Sequence, residues 1–181
     1  RPTVEVIPQR TRTKHVGVLA TPGTVASESY VIELLKQDPT LTVTQQACPM
    51  WVPLIESGEH LHAGADYFVE KYLTELLTRD PLIDTIILGC THYPLLQPKI
   101  EAFLSSTYRS QSPTHNNSIS IIAQGKIVAD SLADYLHRHP EFPQDSKSRS
   151  CQFLTTESAT KFAESASLFL SESIIAHHIE L

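Results

Sequence analysis

The chain has 181 residues, 41% of them hydrophobic and 19% charged, and carries a formal net charge of −6. That length can bury a sizeable core, the composition is that of a folded globular protein, and no apolar run approaches the roughly 20 residues needed to span a bilayer. The negative charge argues against a general attraction to nucleic acid, and three widely spaced cysteines, Cys48, Cys90 and Cys151, form no disulfide framework and suit a reducing cytoplasm.

The sequence opens on Arg1-Pro2 rather than Met, without a secretory signal, and reads as part of a longer protein whose N-terminus lies upstream. Residues 3–7 have strand-like composition, and the short basic run Arg10, Arg12 and Lys14 is expected in a solvated loop. Residues 15–20 read as a strand and residues 24–37 as a helix, with Val31, Leu34 and Leu35 on one face and Asp38-Pro39 as its stop. Residues 41–47 form the next strand. The strongest helix is 65–79, where Phe68, Val69, Tyr72, Leu73, Leu76 and Leu77 follow the i, i+3, i+4 rule and give a stripe that belongs to the core.

A strand over 85–88 follows, then a helix over 95–104 after Pro94. Residues 105–118, with Pro113, Asn116 and Asn117, read as a polar connection. A strand at 118–123, a helix at 126–137, a second polar linker at 139–150, a strand at 152–155 and a helix at 158–170 complete the chain. Strands alternating with helices predict βαβ units and a mostly parallel sheet. The last units are too few for a free-standing domain, so the tail is expected to complete a sheet begun elsewhere.

Gly89-Cys90-Thr91-His92-Tyr93-Pro94 lies where the 85–88 strand gives way to a loop. Ligands gather at the carboxyl ends of strands in open α/β sheets, so a thiol there is well placed for chemistry. His92 is close enough to share the loop with Cys90, and an imidazole can lower a thiol pKa or relay its proton. Thr21-Pro22-Gly23-Thr24 joins a strand to a helix, and its hydroxyls suit a carboxylate or phosphate, although Thr24 as a simple N-cap is the commoner use of such a threonine. The glycines and lysine of a P-loop or dinucleotide fingerprint are missing from this turn.

In Cys48-Pro49-Met50-Trp51-Val52-Pro53-Leu54-Ile55-Glu56, Pro53 fits the first turn of a short helix with Glu56 following near the top of the sheet. Glu56 is then either a site residue or a helix-start carboxylate that favours the dipole. Cys90 and His92 supply too few ligands for zinc, and the pairs His60/His62, His137/His139 and His177/His178 read as polar surface.

Three segments together resemble the glutamate racemases of the aspartate/glutamate racemase superfamily. They are Gly17-Val18-Leu19-Ala20-Thr21-Pro22-Gly23-Thr24, Ala47-Cys48-Pro49 with Val52-Pro53-Leu54-Ile55-Glu56, and Leu88-Gly89-Cys90-Thr91-His92-Tyr93-Pro94. The likeness runs in the same order along nearly the whole chain, through Phe153-Leu154-Thr155-Thr156. It implies an α/β, parallel-sheet, two-domain fold whose first domain is incomplete here. Residues 1 to about 115 would be the inserted α/β domain with its lead-in, and residues 116–181 the return into the first domain.

The resemblance further implies a cytoplasmic isomerase that interconverts L- and D-glutamate without pyridoxal phosphate or any other cofactor, supplying D-glutamate for peptidoglycan and cell shape. Two thiols act on opposite faces of the substrate, and Cys90 matches the one that acts on L-glutamate. The other would lie upstream, in an Ala-Cys-Asn-Thr context that has no counterpart here, so the chain as it stands is expected to be inactive. Cys48 matches a position that is not catalytic. His92 matches an assisting histidine and Glu56 the acidic residue that cooperates with it, while Thr21, Thr24 and Thr91 match positions that hold the substrate's carboxylates or amino group. Around Ala123-Gln124-Gly125 the chain departs from the acidic, small-residue loop of the pattern, and no site is assigned there. The expected partner is L- or D-glutamate, with no nucleic acid, metal or membrane, and with a homodimer left open. A racemase for aspartate or another small acid, and a non-catalytic ligand-binding paralogue, remain the alternatives.

Overall fold

A computed structural model of the chain describes residues 2–108, 118–142 and 151–180. Its contacts fall into two compact units, residues 1–134 and 135–181. In the first, strands β1 (His15–Ala20), β2 (Thr42–Ala47), β3 (Thr85–Leu88) and β4 (Ser120–Ile122) form one sheet in the order β2-β1-β3-β4. Every pairing is parallel, with Ala20 opposite Ala47 and Leu19 opposite Leu88 at the carboxyl ends. Parallel strands buried on both faces need continuous apolar runs rather than alternation. β1 and β3 meet that need, since every residue from Val16 to Ala20 except glycine is a fully buried hydrophobe and all of β3 is buried.

One face of the sheet carries Val16, Val18, Ala20, Ile87 and Ile122, which meet Val4, Ile7, Leu34 and Leu41. Helices α1 (Pro2–Val6) and α3 (Ser29–Gln37) bring two of those partners. On the other face α5 (Ala63–Arg79) lies directly on β1: a Cβ at Gly17 would come within 2.8 Å of Leu76 Cδ2. Only glycine lets the helix approach so closely. Short helices α2 (Pro22–Ala26) and α4 (Trp51–Glu56) follow β1 and β2, α6 (Gln97–Phe103) follows β3, and α7 (Gln124–Arg138) follows β4.

In the second unit, β5 (Phe153–Thr155) and β6 (Ala176–His178) pair in parallel through α8 (Ala159–Leu170), whose N-cap Ser158 accepts from Lys161 N. β6 has no counterpart among the expected elements. No helix among the described residues is long and apolar enough to cross a membrane.

Four local expectations are corrected. Residues 3–7 are not a strand but helix α1 running into a 3₁₀ turn, Ile7–Gln9. The buried pair Val4 and Ile7 is spaced by three, which sets one helical face on the core. The single helix expected over 24–37 is broken at Glu28, which takes a left-handed φ of 51° between α2 and α3. There Ser27 Oγ donates to Thr24 O and accepts from Ser29 N, so a side chain competes with the helical ladder. The helix after Pro94 begins as a 3₁₀ turn, Tyr93–Leu96, and ends in a π-helical turn, Leu104–Tyr108. His60, expected at the polar surface, is 3% exposed in the turn Glu59–Leu61. Most of the expected connection 105–118 and the later part of the linker 139–150 lie outside the described residues.

Candidate active site

The strand order reverses direction between β1 and β3, so the connections leaving these neighbours diverge and open a crevice at their carboxyl ends. Thr21 follows β1, Cys48 follows β2, and Gly89 with Cys90 follow β3. The ladder runs on past the strand ends: Cys48 N donates to Ala20 O at 2.9 Å and Gly89 N to Leu19 O at 2.7 Å. The three loops therefore leave the sheet at one level.

Cys90, His92 and Glu56 are brought into a line. Cys90 Sγ stands 3.7 Å from His92 Nδ1, and His92 Nε2 stands 2.5 Å from Glu56 Oε1. The His92 side chain is 23% exposed and that of Glu56 49%, so solvent reaches the outer end of the line first. An ionised Glu56 accepts a hydrogen bond from Nε2–H, the tautomer that leaves Nδ1 free to accept from the thiol. After that transfer a thiolate and a carboxylate flank an imidazolium, an arrangement that supports the anionic sulfur.

The geometry also corrects the reading of Glu56 as a helix-start carboxylate. Glu56 is the last residue of α4, the end at which the dipole disfavours negative charge. Its partner is the imidazole, not the helix.

The Cys90 loop is anchored at its far end by Tyr93, which is fully buried. The Tyr93 hydroxyl donates to Cys48 O at 3.2 Å, and its ring meets Trp51 edge-on at 4.7 Å between centroids. Trp51 is itself fixed, its Nε1 donating to Phe68 O on α5 at 3.3 Å. Cys48 is 1% exposed, donates to Gln46 O, and has its thiol pKa pushed far up by burial, so it stays protonated. Cys151 is exposed in the second unit.

The threonines divide. Thr21, not Thr24, is the N-cap of α2, accepting from Thr24 N at 3.4 Å while the two hydroxyl oxygens lie 3.0 Å apart. Thr24 lies in the wall of a cleft of about 390 Å³, shared with Gly89, Tyr30 and Gln124. Thr91 is exposed on the loop between Cys90 and His92. Gln124 escaped the sequence reading: its Nε2 donates to Leu88 O at 2.9 Å and to the Tyr30 hydroxyl at 2.8 Å. Its place just after β4, beside β3, was the available signal. Among the described residues no group of three or more His, Cys, Asp or Glu is arranged to hold a metal ion.

Fold and site together define an α/β protein whose strand-end thiol is paired with a histidine at the switch point of a parallel sheet. Solved structures with a similar fold include glutamate racemase isoform RacE1 from Bacillus anthracis, 29% identical with a TM-score of 0.82, matching 99% of this chain and 62% of that one. Glutamate racemase from Francisella tularensis, solved in complex with D-glutamate, agrees in fold at 24% identity and a TM-score of 0.78, matching 99% of this chain and 60% of that one. Among curated relatives, the glutamate racemase of Shouchella clausii is 34% identical over 175 residues, 95% of this chain and 58% of its own length. That of Lactiplantibacillus plantarum is 35% identical over 170 residues, 92% of this chain and 57% of its own length. No protein-family model matches the sequence. The chain spans 57–58% of the length of these curated relatives, and over that span it is similar to glutamate racemases.

Proposed function

We propose that the chain carries one face of a two-base site that interconverts L- and D-glutamate without a cofactor, an isomerisation that supplies D-glutamate for peptidoglycan in the cytoplasm. The observation that supports this reading most is the line Cys90, His92, Glu56 at the switch point, in a chain similar to glutamate racemases.

The α-proton of glutamate is a poor acid, and its removal needs a base on one face and an acid on the other. In this reading the Cys90 thiolate takes the α-proton of L-glutamate: an S–H bond forms as the Cα–H bond breaks, and the electron pair delocalises into the adjacent carboxylate. A thiol on the opposite face then delivers its proton to Cα, giving D-glutamate and leaving that sulfur as the thiolate. The reverse reaction exchanges the roles. His92 accepts the Cys90 proton before turnover and holds the thiolate, and Glu56 holds the ring in the receptive tautomer. Hydroxyl and backbone donors of Thr21, Thr24 and Thr91 hold the substrate's carboxylates or amino group where charge develops.

The buried Cys48 is unsuited to the opposing role, which we assign to a thiol outside this chain. Accordingly the chain by itself is inactive.

The test is Cys90→Ser in the complete protein, with racemisation followed by polarimetry. Serine is a far weaker acid than cysteine, so its alkoxide is scarce near neutral pH, and turnover is expected to fall by about 10²–10⁴-fold, the usual contribution of a general base. Undiminished racemisation by that variant would refute the assignment.

A further inference from the structure

The peptide unit before Cys90 is gripped at both of its polar atoms. The N–H of the Leu88–Gly89 peptide donates to Leu19 O of β1 at 2.7 Å, and its C=O accepts from Gln124 Nε2 at 2.9 Å. The same amide group of Gln124 donates to the Tyr30 hydroxyl at 2.8 Å. Tyr30 in turn closes the remaining side of the turn: a Cβ at Gly89 would lie 3.0 Å from Leu19 O, 3.1 Å from Ala20 Cβ and 3.2 Å from Tyr30 Cε2. A peptide is planar, so once this plane is held, the φ and ψ of Gly89 are the soft torsions left between it and the Cα of Cys90. The packing around Gly89 restrains those too. Gln124 belongs to the segment where the chain departs from the family resemblance, and a small side chain there would not reach Leu88 O.

We propose that Gln124 and Tyr30 form a clamp that sets the position of the Cys90 thiol relative to His92, Gln124 gripping the peptide and Tyr30 bracing both the amide and Gly89. They are positioning residues for the site, acting through the Leu88–Gly89 peptide. The proposal rests on the reading of Cys90 as the reacting thiol.

The clamp is tested by the chemistry of the sulfur itself. In the 181-residue chain carrying Cys151→Ser, Cys90 is the one cysteine not buried, and its alkylation by iodoacetamide reads thiolate availability over about pH 6 to 10. Gln124→Leu keeps the bulk and removes the donors. It is expected to change the alkylation rate near neutral pH by about fivefold, the net worth of one hydrogen bond, and to displace the pH profile, while the circular dichroism spectrum stays that of the parent. Tyr30→Phe keeps the ring and the Gln124 bond to Leu88 O, and is expected to stay within about twofold, a fraction of one hydrogen bond. A folded Gln124→Leu variant with the parent's rate and profile overturns the proposal. Should that variant fail to fold, Gln124→Asn, one methylene too short to reach Leu88 O, carries the same expectation and the same refutation. No glutamate enters this assay, so its failure is distinct from that of the site reading, which falls if Cys90→Ser retains racemisation.

Discussion

Removing the Asp84 carboxylate tests the support at the amino ends of the central strands β1 and β3. Asp84 is 4% exposed, just ahead of β3, and accepts four hydrogen bonds. Thr11 Oγ1 donates at 2.6 Å, Arg12 N at 2.7 Å, Thr13 N at 2.9 Å and Thr85 Oγ1 at 3.0 Å. Thr11 is buried as well and accepts from Lys14 N, so the carboxylate holds the turn that delivers β1 to its place. Hydrogen bonds to a charged group contribute about 1.5–3 kcal/mol each, but in Asp84→Ala the two half-buried backbone donors regain water and the hydroxyls rotate to other acceptors. The net cost is about 3–5 kcal/mol, which at about 2–4 °C per kcal/mol lowers Tm by roughly 6–20 °C in a chain of this size.

Urea unfolding followed by circular dichroism measures the difference as a lower midpoint at unchanged slope. Burial alone raises the pKa of Asp84, but its hydrogen bonds outweigh that and hold the carboxyl below the ordinary carboxylate range. The group's stabilisation is thus complete above its unfolded pKa and is lost as pH falls through the folded one. The gap between parent and variant should be widest at neutral pH and narrow in acid. A variant within about 1 kcal/mol of the parent at neutral pH, the worth of a single hydrogen bond, would refute the reasoning, as would a gap that widens in acid.

Gly89→Ala forces a methyl against Leu19 O and Ala20 Cβ of a central strand, and should cost about 1–3 kcal/mol in thermal unfolding. Tyr93→Phe removes the donor to Cys48 O, but Trp51 N still reaches that carbonyl at 3.3 Å, so the loss should be about 1 kcal/mol in urea rather than that of an orphaned group. The Asp38 carboxyl is lowered to about 2 by the Lys14 side chain and then by Thr40, and a carboxyl titration followed by NMR should show it. In Lys14→Gln that midpoint should rise toward the ordinary value, and an unmoved midpoint would exclude Lys14 as the main cause.

Some of this fold is legible because local pattern and burial coincide. β3 and α5 lie close to where the residues predict them, since a short β-branched run closed by Gly89 favours a strand and a long i, i+3, i+4 stripe favours a helix. The first segment misleads because Thr3, Val4, Val6 and Ile7 are β-branched and strand-like one by one, while the spacing of Val4 and Ile7 decides for a helix on the core. No glycine marks the break at Glu28, where the Ser27 hydroxyl bridges Thr24 O and Ser29 N.

At the site, Cys90 and His92 are neighbours in one loop and visible as such, but Glu56 joins them across 36 residues through the sheet's crossover. Gln124 and Tyr30 are 94 residues apart, and nothing in either neighbourhood announces the pairing. Long-range contacts of this kind follow from topology, which a motif does not carry.

The amides of Cys48 and Gly89 extend the hydrogen-bond ladder of β1 beyond the last residues of the strands. The roots of both loops therefore cannot open without breaking pairs in the sheet's interior, and their local unfolding draws on the free energy of the sheet rather than of a surface turn. In the proposed function, a thiol seated on such a root would keep its place while substrate arrives and leaves. The accommodation that passage demands falls to the other parts of the site.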